Sequence, residues 1–102
     1  MPGPTVPRST FDHGRKSSIG TSVVRLVDAP IKTKRGVLIK AAAENSGKVY
    51  IGISTSVTAD SNDTTDGFEL SAGDSLEVEI NDVRSIHVIG NASDQKVFWI
   101  GV

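Results

Sequence analysis

The sequence has no cysteine and few aromatic residues, and both shortages restrict what the chain can do. Without cysteine there is no disulfide, no zinc–thiolate site and no thiol nucleophile. The aromatic residues are three Phe, one Tyr and one Trp. Most buried apolar surface must therefore come from Val, Ile and Leu, of which the β-branched Val and Ile favour strands. We expect stability to come from packing or from assembly.

Long apolar runs and helical periodicity are also missing. No stretch approaches the roughly 18 apolar residues of a membrane-spanning helix, and residues 1–20 contain no apolar signal segment. We therefore expect a soluble protein, made in a cytoplasm, without a membrane partner. Short β-branched runs instead alternate with turn residues, as in antiparallel sandwiches and barrels. The sequence predicts one all-β domain, an antiparallel β-sandwich or jelly-roll-like barrel of about seven strands with an extended N-terminal arm.

The first twenty residues differ in composition from the rest. Three of the first seven positions are proline, which fixes φ and provides no N–H donor. Such a segment is neither a helix nor a central strand. We therefore predict an extended basic arm over residues 1–20, ordered on a partner, and a β-sandwich domain over residues 21–102.

Seven runs predict the strands of that domain, and four of them carry further expectations. The runs are residues 23–27, 37–43, 48–54, 68–70, 76–80, 84–90 and 96–102. The second and third are separated by the turn residues Glu44 to Gly47, which predicts a hairpin. Strict alternation predicts that Leu76, Val78 and Ile80 point inward. The last run is apolar on both faces, which predicts a central strand or one covered by a neighbouring subunit.

Charge is distributed unequally along the chain. Residues 1–40 contain eight basic and two acidic residues, whereas residues 41–102 contain three basic and ten acidic residues. Such asymmetry is typical of a basic arm that binds an acidic surface or nucleic acid, and an arm of one copy on the body of the next is equally open. The acidic body and the lack of interleaved aromatics disfavour nucleic acid. The candidate partner-binding residues are Arg8, Phe11, Arg15, Lys16, Arg25, Lys32, Lys34 and Arg35.

Residue types that support catalysis or metal binding are sparse. The two histidines, His13 and His87, are far apart in sequence and predict neither a hydrolytic triad nor a transition-metal site. The segment Asp60–Gly67 has oxygen-rich side chains but lacks the spacing of an EF-hand, so we interpret it as an exposed, turn-rich loop, leaving open a cation or a glycan there. Glu77 and Glu79 are interpreted as solvent-facing edge protection. We expect no enzyme activity and no cofactor.

Residues 35–102 resemble small virion proteins of tailed bacteriophages. Those proteins carry a G-F-x-L strand, an A/P-G-D/E turn, a D-V/L-x-x-I/V-x-V-I-G strand and a closing Q-K-V strand. The matching segments here are Gly67–Leu70, Ala72–Asp74, Asp82–Gly90 and Gln95–Val97, with Gly36–Lys40 and Gly47–Gly52 as the preceding hairpin. Residues 1–20 match no such pattern.

The resemblance implies a β-sandwich in the virion, most simply a capsid decoration or cement protein. It implies the major capsid protein or another virion protein as partner, and a homo-oligomer such as a trimer on a local threefold axis. A neck or tail accessory role is the nearest alternative. A carbohydrate-binding module that uses residues 55–67 as its contact surface is another, although Tyr50, Phe68 and Trp99 are predicted to be embedded in strands rather than exposed as a platform.

Overall fold

Two antiparallel four-stranded sheets form a β-sandwich in the computed structural model, which describes residues 11–102. Sheet A has the order β1-β8-β3-β6 and sheet B the order β2-β7-β4-β5. The strands are β1 Asp12–Ile19, β2 Val24–Arg25, β3 Val37–Ala41, β4 Val49–Gly52, β5 Phe68–Leu70, β6 Ser75–Val78, β7 His87–Gly90 and β8 Gln95–Gly101. The predicted all-β sandwich is therefore confirmed.

Strand β1 lies in the segment that sequence analysis assigned to the N-terminal arm. It pairs with β8 from Asp12 opposite Gly101 to Lys16 opposite Val97, and its last residue, Ile19, is fully buried. The prolines of the arm all precede residue 8, so the backbone N–H groups of β1 are free to join the ladder. The sheet thus includes residues 12–19, and β1 occupies an edge position rather than a central one.

The predicted hairpin between residues 37–43 and 48–54 is wrong. Strand β3 pairs with β6 and β8 in sheet A, whereas β4 pairs with β5 and β7 in sheet B. The side chain of Asn45 exchanges two 2.9 Å hydrogen bonds with the backbone of Lys96, and this holds the start of the connection on β8. Turn residues show that the chain reverses, but they do not show whether the next strand stays in the same sheet.

The core lies between the sheets and is built largely from β-branched residues. On β3, alternation buries Val37, Ile39 and Ala41 and leaves the residues between them exposed. Strand β8 is central in sheet A, between β1 and β3, as the sequence predicted. Leu76, Val78 and Ile80 are partly buried and pack against this core. The inward direction predicted for these three residues is therefore confirmed.

The predicted strand over residues 84–90 begins later than expected. Residues Val83–Ser85 form a single turn of 3-10 helix, and strand β7 begins at His87. The carboxylate of Asp82 accepts a hydrogen bond from the N–H of Arg84 and caps this turn. No helix in the described part of the chain has the length and apolar character needed to span a membrane.

Candidate functional site

The predicted partner-binding residues divide into two groups in the structure. Arg8 lies outside the described residues. Phe11, Arg15 and Lys16 lie at the start of β1 or along it, at an edge of sheet A. The others, Arg25, Lys32, Lys34 and Arg35, lie on β2 and on the connection between β2 and β3. The basic half of the sequence therefore forms a basic edge and a basic end of the sandwich rather than one patch.

The basic end lies beside the last residues of β8. The backbone N–H groups of Lys34 and Arg35 donate to the carbonyl oxygen of Val102 at 3.1 and 2.9 Å. The adjacent Gly101 pairs with Asp12 of β1. The start of β1 and the basic connection therefore meet at this end, although 20 or more residues separate them in sequence.

Asp82 binds Lys32 at this end and caps the turn that carries Arg84. Its carboxylate accepts from the backbone N–H of Arg84 at 3.0 Å, from the Lys32 ammonium at 3.1 Å and from the N–H of Ile31 at 3.1 Å. These contacts, the Arg84 N–H first, lower the pKa of Asp82 below its usual value. Arg25 reaches the same region through its Nη1, which donates to the carbonyl oxygen of Arg84 at 3.1 Å. Lys32 is thus partly neutralised.

The outer face of sheet A is exposed and partly apolar, and we call it the open face. Leu38 and Lys40 of β3 point outward beside their partners on β8, Ile100 and Phe98. Leu38 is 43% exposed and Phe98 is 44% exposed. Arg15 of β1 pairs with Phe98 from the other side, so a cation flanks the aromatic ring on each side. Leu38, Lys40, Phe98 and Ile100 were not among the predicted binding residues. The final strand is apolar on both faces, and this pattern could have indicated Phe98 and Ile100.

The outer face of sheet B is covered instead. The connection between β4 and β5 folds back over it, and Val57 and Ala59 pack against Tyr50 and Ile89 in a second small cluster. The hydroxyl of Tyr50 donates to Asp60 at 2.5 Å. This hydrogen bond, together with burial, raises the pKa of Tyr50 above its usual value of 10. The loop is therefore attached to the sheet by apolar contacts and by a buried phenol.

The carboxylates of this loop accept hydrogen bonds mainly from the loop itself. Asp66 accepts from the N–H groups of Ser61 and Asn62 at 2.8 and 2.9 Å and from the hydroxyl of Thr58 at 2.9 Å. These bonds, that of Ser61 first, lower the pKa of Asp66. Side-chain bonds of this kind were predicted for a turn-rich loop. Within residues 11–102, no group of three or more His, Asp or Glu side chains is placed to hold a metal ion.

An open apolar groove lies between the sheets at the side formed by β5 and β6. It has a volume of about 240 Å³, and its walls come from Ile51, Ile53 and Phe68 on one side and Leu76, Val78 and Ile80 on the other. Phe68 is 59% exposed, so the prediction that it is embedded is wrong, whereas Tyr50 and Trp99 are buried. Phe68 is exposed because β5 is a three-residue edge strand of sheet B.

The titratable residues considered for catalysis lie apart. His13 is on β1 of sheet A and His87 is on β7 of sheet B. His87 is buried, and its Nδ1 is 3.2 Å from the carbonyl oxygen of Ser85. Glu77 is exposed on β6, an edge strand of sheet A, and Glu79 directly follows that strand. The two histidines thus lie in different sheets, and the two glutamates lie at the edge of sheet A opposite to β1, which carries His13.

Comparison with known proteins found no family model, no curated protein and no solved structure that matches the chain. The function is therefore inferred from the fold, from the open face and the basic end, and from the sequence resemblance of residues 35–102.

Proposed function

We propose that the chain is a structural virion protein of a tailed phage that binds the capsid surface as a decoration or cement protein. The observation that carries the proposal is the open face of sheet A. Its centre holds Leu38 and Phe98, each more than 40% exposed, and Arg15 and Lys40 flank it. Exposed apolar residues with a polar rim are typical of protein–protein contact surfaces.

The distribution of charge supports an acidic protein partner, which we propose is the major capsid protein. Neither Lys34 nor Arg35 forms an ion pair with another described residue, so both are available at the basic end. Cations at the rim of an interface accelerate association with an acidic surface and lose their effect at high salt. The role is one of binding and not of catalysis, in keeping with His13 and His87 lying in different sheets.

The proposal is tested by a pair of matched substitutions, Phe98→Ser and Phe68→Ser. Both remove an exposed phenylalanine from a strand, one at the centre of the open face and one in the groove. Binding to capsids that lack the chain is measured by co-sedimentation, at a concentration where light scattering gives every variant the wild-type mass. We expect Phe98→Ser to weaken binding at least about tenfold, which corresponds to about 1.4 kcal/mol, and Phe68→Ser to retain it. Wild-type binding by Phe98→Ser would contradict the proposed surface.

A neck or tail accessory role would use the same open face against a different virion component. The same co-sedimentation assay with purified tails separates the two roles, because a decoration protein binds capsids and not tails.

One observation favours a carbohydrate-binding module as the second candidate. Phe68 is exposed beside an apolar groove, and sugar sites commonly present such an aromatic surface. A glycan array with the same two variants tests this role. Binding that Phe68→Ser abolishes and Phe98→Ser preserves would support it, and an array without any bound glycan would contradict it.

A further inference from the structure

We infer that copies of this chain join edge to edge, with β1 of one copy adding to β6 of the next. We call this contact between two copies the joint. Among the described residues, β1 and β6 are the two edges of sheet A, at opposite ends of the order β1-β8-β3-β6. Edge strands present unpaired N–H and C=O groups that can pair with another chain. The inference concerns the chain by itself and goes beyond the proposed binding of a capsid.

The direction of the strands suits this joint. Every neighbouring pair in sheet A is antiparallel, so β1 and β6 run in opposite directions. A second copy displaced along the sheet therefore places its β1 antiparallel to β6 of the first copy. The joint continues the sheet with the same type of pairing.

The register of the sheet shows which residues would meet. Two rows of partners cross sheet A, one through Lys16, Val97 and Ala41 and the other through His13, Ile100, Leu38 and Glu77. The first row continues to Asp74, whose carbonyl oxygen accepts from the N–H of Ala41 at 2.9 Å. Extending each row into a second copy sets Lys16 opposite Asp74 and His13 opposite Glu77. The diagonal neighbour of Glu77 is then Arg15, which lies on the same face.

The charges of the two edges are complementary. Strand β1 carries the cations Arg15 and Lys16 and one acid, Asp12, whereas β6 carries Glu77, with Asp74 before it and Glu79 after it. Pairing two β6 edges would bring like charges together, which is destabilising. Pairing β1 with β6 places opposite charges together. The acidic edge therefore discriminates between partners: it disfavours another acidic edge and favours the basic one.

The inner side of the β6 edge is apolar, whereas the inner side of β1 carries Gly14 between Asp12 and Lys16. Behind β6 lies the open groove lined by Leu76, Val78 and Phe68. Behind β1, Gly14 has no side chain and the Trp99 ring lies against it, since a Cβ at Gly14 would be 3.0 Å from that ring. The joint covers part of the groove, so apolar surface of Leu76, Val78 and Phe68 is removed from water along with the paired charges.

The assembly formed in this way grows beyond a dimer. The two contacting surfaces are different, so each copy keeps a free β1 or β6 edge after one joint has formed. Such heterologous contacts produce rings when the rotation between copies closes and open rows when it does not. In both cases the mass increases with concentration and decreases with salt.

The test measures the mass of the purified full chain by light scattering over a range of concentrations. At about 0.05 M salt we expect masses above that of a dimer, falling toward the monomer at about 1 M, where the screening length is about 3 Å. Arg15→Glu/Lys16→Glu should remain a monomer. The matched control, Lys34→Glu/Arg35→Glu, makes the same change of charge at the basic end and should assemble as the wild type does.

A second variant on the other edge completes the test. Glu77→Lys alters β6 at an exposed position, and alone it should also assemble poorly. An equimolar mixture of Glu77→Lys with Arg15→Glu/Lys16→Glu should recover a dimer, because the unaltered β6 of the double variant then pairs with the unaltered β1 of Glu77→Lys. A monomeric wild type at all concentrations, wild-type assembly by Arg15→Glu/Lys16→Glu, or no recovery on mixing would each overturn the inference. None of these results depends on capsid binding, which is measured separately.

Discussion

The two outer faces of the sandwich differ in exposure, because the chain covers one of them and leaves the other open. On sheet B, Tyr50 and Ile89 are covered by the connection between β4 and β5, and both residues are buried. On sheet A, Leu38 and Phe98 occupy similar outward positions and stay more than 40% exposed. The loop over residues 55–67, considered above as a contact surface, thus covers the outer face of sheet B with its apolar side chains.

This difference indicates that the covered face stabilises the fold and that the open face is available for binding. Apolar residues on the covered face contribute to folding, because their burial is complete without a partner. Apolar residues on the open face are buried only when another molecule covers them, so their burial stabilises a complex rather than the fold. Substitutions can test this division, since apolar residues of similar size should have different effects on the two sides of one sheet.

The largest contrast is expected between neighbouring residues of β3. Ile39 is fully buried and Leu38 is 43% exposed. We expect Ile39→Ala to lower the free energy of unfolding by about 2 to 5 kcal/mol, because it leaves a cavity in the core. Leu38→Ala should lower it by less than about 1 kcal/mol, because little packing is lost. Urea denaturation followed by tryptophan fluorescence gives both values, and an equal loss at the two positions would show that the open face serves folding.

A smaller effect is expected where the loop is attached to sheet B. Tyr50→Phe removes the hydrogen bond to Asp60 and should lower the free energy of unfolding by about 1.5 to 3 kcal/mol, as for other hydrogen bonds to charged groups. The same substitution in an Asp60→Asn background should cost less, because the charged partner is already absent. Equal costs in both backgrounds would mean that the phenol does not hold the loop through this carboxylate.

The smallest effect is expected from acid, at the loop of the covered face and also, through Asp82, at the basic end. The pKa values of Asp60 and Asp66 are lowered in the fold, mainly by hydrogen bonds from Tyr50 and from the Ser61 N–H. These bonds stabilise the loop at neutral pH, and they weaken as the pH falls below about 4, the ordinary carboxyl pKa, through the lowered folded values.

Hydrogen exchange measures this effect at the amides that the loop carboxylates hold. The N–H groups of Ser61 and Asn62 should exchange faster, relative to intrinsic rates, on acidification. The N–H of Ala42, which donates to the carbonyl oxygen of Lys96, is the internal reference. In Asp66→Asn the acid dependence at Ser61 should be reduced. Uniform acceleration across the whole sandwich would show that the loop is not an independent acid-sensitive element.

The sequence by itself determined the class of fold and much of its local geometry. Missing helical periodicity, β-branched runs and the alternation of Leu76, Val78 and Ile80 predicted an antiparallel sandwich. The apolar final strand predicted a central position or a covered one, and it is central. These features follow from the two-residue period of a strand, which depends only on neighbouring residues.

Tertiary structure alone decided which strands share a sheet, which face is covered and which charges meet. The turn at Glu44 to Gly47 carries no information about whether β4 joins β3 or crosses to the other sheet, because that choice depends on long-range pairing with β7 and β8. Likewise, the loop over residues 55–67 is rich in acidic and hydroxyl side chains, and the burial of its Val57 and Ala59 requires contact with Tyr50. The basic half of the sequence is split between an edge and an end because β1 and the connection before β3 reach different sides of β8.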